Sequence, residues 1–253
     1  MRLSPFGLID RALAPPPHAS RLEGLLGTPY AHRGLHGTGR IENSTAAFDA
    51  AIGAGHGIEL DVQASREGEP IVIHDYNLAR LTGLEGKVAE RSAAELGAIT
   101  LSGSGQSLAT LAETLRLVRS RAPLLIEVKA PDRHVGRLCA GIRRALEGYR
   151  GPAAIMSFNP EIGRWFARHA PRIVRGLVVT EQDKRGPKGR IERHLALWRA
   201  KPDFLAYDIR DLPSRFAAAQ RRRGLKVLTW TVRSEAERAR AAVHADQIIY
   251  ETV

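Results

Sequence analysis

The chain has 253 residues, 43% hydrophobic and 26% charged, which is ordinary globular usage and excludes a fully disordered chain. Lys and Arg outnumber Asp and Glu by 38 to 27, a formal charge of +11, and only six of those cations are Lys, which leaves 32 Arg. That excess is either a compositional bias or a preference for anionic partners (phosphate esters, lipid headgroups or nucleic acid), and charge alone does not choose among them. The single cysteine, Cys139, excludes an intrachain disulfide and a Cys-based zinc site within one chain.

At the N-terminus, Met1–Pro17 has the look of a secretory leader, but Asp10 and Arg11 break its uncharged stretch Leu3–Ile9. It reads as a retained segment, with the cytoplasm as the default compartment. No run of about 18 apolar residues exists, so no membrane span is expected. Strand candidates follow at Pro29–His32, Gly57–Gln63, Leu124–Lys129, Ala153–Ser157, Ile173–Thr180, Phe204–Tyr207, Lys226–Val232 and Gln247–Tyr250, with a further short run at Pro70–His74. Between them lie helix candidates with start signals. Asn43-Ser44 precedes Ala47, Phe48, Ala51 and Ile52 on one helical face. Thr110-x-x-Glu113 and Ser234-x-x-Glu237 read as capping boxes, and Asn159-Pro160 as an N-cap with Pro at the first helical position. Further helices fit Arg133–Glu147, Gly189–Ala200 and Pro213–Arg223.

Eight strands alternating with helices imply parallel pairing and the α/β class, and eight is the number that closes a (β/α)8 TIM barrel. The expected organisation is one barrel domain over residues 29–253, with residues 1–28 as an N-terminal segment packing on it. An open doubly wound sheet is the alternative. Gly34, Gly37 and Gly39 follow the first strand with the wrong spacing for its phosphate loop. The last strand candidate ends at Tyr250 and the eighth helix is missing, so Leu8–Leu13 or Leu22–Leu26 is expected to cover the gap between last and first strands.

Polar residues gather at the ends of the strand candidates, where barrel active sites lie. In Ile58-Glu59-Leu60-Asp61-Val62, alternation puts both carboxylates on the face opposite the aliphatic side chains. Leu125-Ile126-Glu127-Val128-Lys129 repeats the pattern, with Glu127 and Lys129 sharing a face. Three carboxylates in one apolar-walled cavity repel unless a cation intervenes, and carboxylate oxygens favour one hard divalent ion, Mg2+ or Ca2+. His32 and His74, at strand ends, suit general acid and base roles. Arg33 and Lys129 would neutralise a phosphoryl group. Glu42 and Asn43 open the first helix, where Asn43 is either a cap or part of the site.

In order along the chain, His32-Arg33-Gly34, Glu42-Asn43-Ser44-Thr45, Gly57-Ile58-Glu59-Leu60-Asp61-Val62-Gln63, His74-Asp75, Glu127-Val128-Lys129, Ser157-Phe158 and Thr229-Trp230-Thr231-Val232 resemble the glycerophosphodiester phosphodiesterases. The resemblance runs from about residue 29 to 250. It implies a (β/α)8 barrel that cleaves glycerophosphodiesters to glycerol 3-phosphate and an alcohol with one divalent metal. It implies that Glu59, Asp61 and Glu127 hold the metal, that His32 and His74 form the acid/base pair, and that Arg33 and Lys129 bind phosphate; which histidine is the acid is open from the sequence, with His74 favoured. Phe158 and Trp230 would then line the substrate pocket, with Glu42 and Asn43 beside it. Ile41 and Ser44 flank Glu42-Asn43 where the family often has Pro and Thr, and Tyr250-Glu251 stand where it usually has Thr-Asp or Thr-Asn. The segment Tyr76–Gln106 is a short version of a variable insertion. Related phosphodiesterases of lysophospholipids or phosphoinositides, and a catalytically inactive basic surface-binding protein, are the alternatives. A nucleic-acid partner is not expected, because the basic stretch Lys184–Arg193 lacks interleaved aromatics. The partner expected is a small phosphodiester; transient contact with a membrane surface stays open.

Overall fold

The computed structural model describes residues 5–252; residues 1–4 of the N-terminal segment, including the start of the Leu3–Ile9 stretch, and Val253 lie outside the described residues. In chain order the elements are α1 (Pro5–Leu13), β1 (Tyr30–Ala31), α2 (Thr45–Gly53), β2 (Gly57–Ala64), β3 (Pro70–Val72), α3 (Ala79–Thr82), α4 (Ala93–Gly97), α5 (Leu111–Val118), β4 (Leu124–Val128), α6 (Gly136–Leu146), β5 (Ala153–Ser157), α7 (Pro160–His169), β6 (Val174–Val179), α8 (Pro187–Ala200), β7 (Phe204–Asp208), α9 (Arg215–Arg222), β8 (Lys226–Val232), α10 (Glu235–His244) and β9 (Gln247–Tyr250). Leaving β3 aside, this is a (β/α)8 TIM barrel of the α/β class, and among the described residues no helix follows β9. Nor is any described helix long and apolar enough to cross a membrane. The chain forms two compact units, Tyr30–Ala153 with the residues from Glu251 on, and Ala154–Tyr250 with the residues up to Pro29.

In the first unit β2 is the central strand. It pairs in parallel with β1 (Tyr30 opposite Gly57) and with β4 (Asp61 opposite Glu127). Glu59 and Asp61 carbonyls accept from Gly34 N (3.2 Å) and Ile73 N (3.1 Å), whereas the Val62 carbonyl accepts from Lys129 N (2.9 Å). The chain after β1 and the chain after β3 therefore share one edge of β2, and β4 takes the other. The short run after β2 is antiparallel, not a ninth parallel strand. Its cause is a tight reversal in which Ser65 N donates to the Glu69 carbonyl and Gly68 turns at φ 93. The strand β1 begins one residue later and ends one residue earlier than expected, and its end is set by Arg33 (φ 55) and Gly34 (φ 78), both left-handed, which turn the chain out of the sheet. Residues 76–106 form a small core with β3 and the residue after it, in which Leu78, Val88, Leu96 and Ile99 pack with Ile71 and Ile73.

In the second unit β5 to β9 pair in sequence order, each parallel to the next. Asn159 accepts from Glu161 N to start α7, with Pro160 in the first turn as expected. Ser234 accepts from Glu237 N to start α10, but the reciprocal half of that box differs: Glu237 takes the N–H of Arg233 instead. The expectation that Leu8–Leu13 covers the strand gap is corrected. The helix α1 lies on α8, with Phe6 stacked on the His194 ring at 4.2 Å and Asp10 buried against His194, Trp198 and Gln220. The second stretch does reach the sheet, since the Leu26 carbonyl accepts from Gln247 Nε2 at the start of β9.

Candidate active site

The strand alternation read from the sequence places the acids. Ile58, Leu60 and Val62 are buried on one face of β2; Glu59 and Asp61 are buried on the other, and Glu127 of β4 stands in register with Asp61. Ligand oxygens of Glu59, Asp61 and Glu127 all lie within 4.8 Å of one another. Glu59 Oε2 accepts from Arg33 N (3.0 Å), while Glu59 Oε1 is buried without a hydrogen-bond partner. Asp61 Oδ2 accepts from Asn43 Nδ2 (3.0 Å), and its other oxygen lies 3.0 Å from Lys129 Nζ, which also bonds Glu127 Oε1 at 2.5 Å.

The three acids do not respond alike to this crowding. Burial, with the Asp61 charge beside it, pushes Glu59 up to about 8. Burial also raises Glu127, against the pull of Lys129. For Asp61 burial acts the same way, but Lys129, His74, Arg33 and His32 together outweigh it and hold the carboxyl below its ordinary range. Burial lowers Lys129, but Asp61 and Glu127 overcome that, so the ammonium is held charged above its ordinary range.

The two histidines flank this cluster. His32 Nδ1 pairs with Glu251 Oε1 at 2.5 Å, and His32 Nε2 lies 3.9 Å from Glu59 Oε2. Burial lowers its pKa, but Glu59 and Glu251 more than compensate, and the net direction is upward. His74 Nδ1 pairs with Asp75 Oδ1 at 2.7 Å. A chain of ion pairs then joins the two sides. Arg80 bonds Asp75 and grips Glu42 with both terminal nitrogens (2.9 and 2.7 Å), and Glu42 in turn accepts from Arg33 Nη1 (2.8 Å).

Of the residues singled out in the sequence, His32, Arg33, Glu42, Asn43, Glu59, Asp61, His74, Glu127 and Lys129 fall in this one unit and interact. The ambiguity at Asn43 resolves: Ser44 caps α2 by accepting from Ala47 N, and Asn43 exchanges two hydrogen bonds with Asp61. Arg33 and Lys129 are both tied to carboxylates. Phe158 and Trp230 belong to the other unit, where they pack edge to face with centroids 5.5 Å apart. Sequence reasoning missed Arg80, Asp75 and Glu251 as parts of the site. A His-Asp dipeptide was the available signal for Asp75; Arg80 lies in the variable segment Tyr76–Gln106, and Glu251 in the terminal loop.

The donor set suits a cation. It is all oxygen, it is compact, and Glu59 Oε1 is a buried acceptor with nothing to accept, so a divalent metal ion fits these three residues. Fold and site together define the class: a TIM barrel with an acidic, cation-type centre between two histidines.

Residues 32–251 match the glycerophosphoryl diester phosphodiesterase family, and the chain belongs to that family. A glycerophosphodiester phosphodiesterase of Caldanaerobacter subterraneus subsp. tengcongensis is 27% identical over 202 residues, 76% of this chain and 80% of that one. Another, from Bacillus altitudinis, is 36% identical over 107 residues, so the matched stretch spans 40% of this chain and only 43% of the relative. Among solved structures, a phosphodiesterase of Oleispira antarctica in complex with the product sn-glycerol-3-phosphate superimposes with a TM-score of 0.78 at 24% identity, over 89% of this chain and 93% of that one.

Proposed function

We propose that this chain is a metal-dependent phosphodiesterase that hydrolyses glycerophosphodiesters to glycerol 3-phosphate and an alcohol, residues 29–253 acting as one catalytic domain. One observation carries the reading: three buried carboxylates, one with an unpartnered oxygen, lie between two imidazoles each held at Nδ1 by a further carboxylate. Family membership and the product found in the Oleispira antarctica structure support the substrate class.

Glu59, Asp61 and Glu127 would hold Mg2+ or Ca2+, which when bound supplies Lewis acidity at a phosphoryl oxygen. The rest of the chemistry falls to the side chains. With Nδ1 committed to Glu251, His32 keeps Nε2 on the carboxylate side, where it takes the proton of the glycerol hydroxyl that attacks phosphorus; the P–O bond to the leaving alcohol breaks, and water then opens the resulting cyclic phosphate to glycerol 3-phosphate. With Nδ1 committed to Asp75, His74 has Nε2 left to protonate the departing alkoxide. Arg33 and Lys129 bind the phosphate and offset charge as it moves onto the phosphoryl oxygens. Asn43 holds Asp61 in place from both its amide atoms.

The test is glycerol 3-phosphate release from glycerophosphocholine, glycerophosphoethanolamine and glycerophosphoglycerol, with Mg2+, Ca2+ or Mn2+ supplied in turn. Release that a chelator abolishes and added metal restores is the expected result. No release from any diester, or release indifferent to chelator, overturns the reading.

A further inference from the structure

Five of the nine exposed large hydrophobic side chains among the described residues sit on two paired helices: Leu8 (65% exposed), Ile9 (40%) and Leu13 (44%) on α1, Ile191 (48%) and Leu195 (53%) on α8. Ile191 and Leu195 are four residues apart and so share one side of α8. The helix α1 turns Phe6 inward, and Ala14 just after it is buried, but the helix is not apolar on that side alone. Its Asp10 is buried in a protein network, while three aliphatic side chains face outward. Such a cluster, on helices already packed together, marks a contact surface.

On the same helices a cleft of about 1140 Å³ opens between α1, α8 and α9, lined by Arg185, Arg190, Arg193, Arg210, Arg215 and Arg222. The carboxylates of this cleft are committed. Asp10 serves His194, Trp198 and Gln220; Glu181 serves Tyr207, Ser214 and Arg193; Asp211 serves Thr180, Gln182 and Arg185. Arg190, Arg215 and Arg222 have no ion-pair partner among the described residues, and the Arg190 guanidinium rests 5.7 Å from the Phe6 ring centroid. The same group of helices therefore carries outward aliphatic side chains on α1 and α8 and, in the cleft, positive charge that the protein leaves uncompensated.

We propose that the α1–α8–α9 face docks onto an anionic phospholipid surface, the aliphatic side chains entering the headgroup layer and the uncompensated guanidiniums meeting lipid phosphates. A second copy of this chain is a poorer occupant, because an isologous contact through this face would set the arginine cluster against itself. The inference stands apart from the proposed hydrolysis and uses none of its residues.

The experiment is vesicle flotation of the full chain with phosphatidylcholine alone and with phosphatidylcholine containing phosphatidylglycerol, across a range of salt. The expected result is binding only to the anionic vesicles, weakening as salt rises. Arg190→Gln/Arg215→Gln should weaken it about fivefold per cation removed. Leu8→Asp/Ile191→Asp should weaken it at least as much with all arginines in place, and Leu13→Ser/Leu195→Ser gives a second reading should that pair misfold by circular dichroism. Inorganic phosphate at the same total phosphate should not compete. Absence of binding to anionic vesicles, binding unchanged in both kinds of variant, or full competition by phosphate each overturns the proposal. So does self-association of the wild type in sedimentation velocity that the same variants abolish.

Discussion

Each imidazole of the site is backed by a carboxylate, but the two carboxylates come from opposite sources: Asp75 is the next residue after His74, and Glu251 lies 219 positions from His32. Replacing either imidazole by alanine should lower kcat by roughly 10²–10⁴-fold, as expected for loss of a general acid or base. Near-normal turnover in either variant removes that histidine from the chemistry. Asp75→Asn and Glu251→Gln keep the shape and lose the charge, and should cost on the order of 10–100-fold in kcat with little change in KM; a change confined to KM would instead make them substrate contacts. Asp75 also carries a stability prediction. Its bonds to Arg80, opposed by burial and helped by His74, hold its pKa down at about 2. A lowered carboxylate stabilises the fold above its ordinary pKa and loses that contribution as pH falls through the folded value, here between about pH 4 and pH 2. Arg80→Gln should therefore destabilise by about 1 kcal/mol at neutral pH and by nearly nothing at pH 2, read from urea unfolding at both. This residue-scale detail was only partly legible. The acids on β2 and β4 announce themselves through a period of two, whereas Arg80 and Glu251 reach the site by long-range pairing that leaves no local pattern.

At the scale of elements, the turn after β1 controls where His32, Arg33 and Asn43 point. Arg33, Gly34 and Asn43 are all left-handed, and Asn43 N donates to the Arg33 carbonyl (2.9 Å), so the turn and the entry to α2 form one rigid corner. Gly34 has a second constraint beyond its φ of 78: an added Cβ would fall 2.9 Å from Ala47 C, Ala47 Cβ and Phe48 Cδ1. Two of those atoms belong to the helix at its backbone or Cβ and cannot swing aside. Gly34→Ala should thus cost roughly 2 kcal/mol or more and lower the thermal midpoint by about 4–8 °C, with a fall in turnover as the corner shifts. Ser44→Ala loses the cap bond to Ala47 N and the bond its hydroxyl donates to the Ile41 carbonyl, and should cost about 1 kcal/mol with turnover nearly unchanged. If the two variants unfold at the same temperature, the close approach at Gly34 is not a constraint. Helix starts and strand faces could be read in the sequence because caps and alternation are local. The antiparallel direction of β3 could not, because it depends on a reversal at Ser65–Glu69 whose geometry only the left-handed Gly68 fixes.

On the scale of the whole molecule, one buried acid concentrates the side-chain hydrogen bonds that hold α1, beside the stacking of Phe6 and the bonds Arg223 donates to the Asp10 and Ala14 carbonyls. Asp10 accepts from Trp198 Nε1 (2.8 Å) and Gln220 Nε2 (2.7 Å) and pairs with His194 Nδ1 (2.8 Å), partners 184 to 210 positions away. The residue is 2% exposed, so these partners have no water to turn to once the carboxylate is gone. Asp10→Ala should cost about 3 kcal/mol or more, larger than a surface ion pair, because it leaves several buried polar groups unsatisfied. Charge and packing can be separated by pH. Burial alone would raise the Asp10 carboxyl, but its bonds to His194, Gln220 and Trp198 prevail and hold it below the ordinary carboxylate range. A folded pKa below the unfolded one means a contribution that is complete at neutral pH and shrinks as pH drops below about 4. Asp10→Asn, which keeps the volume, should therefore be clearly less stable than the wild type in urea at pH 7, with the gap narrowing steadily toward pH 3. A gap of constant size across that range would mean that shape, not charge, anchors α1, and the carboxylate would lose its place as the group that binds the N-terminal helix to α8 and α9.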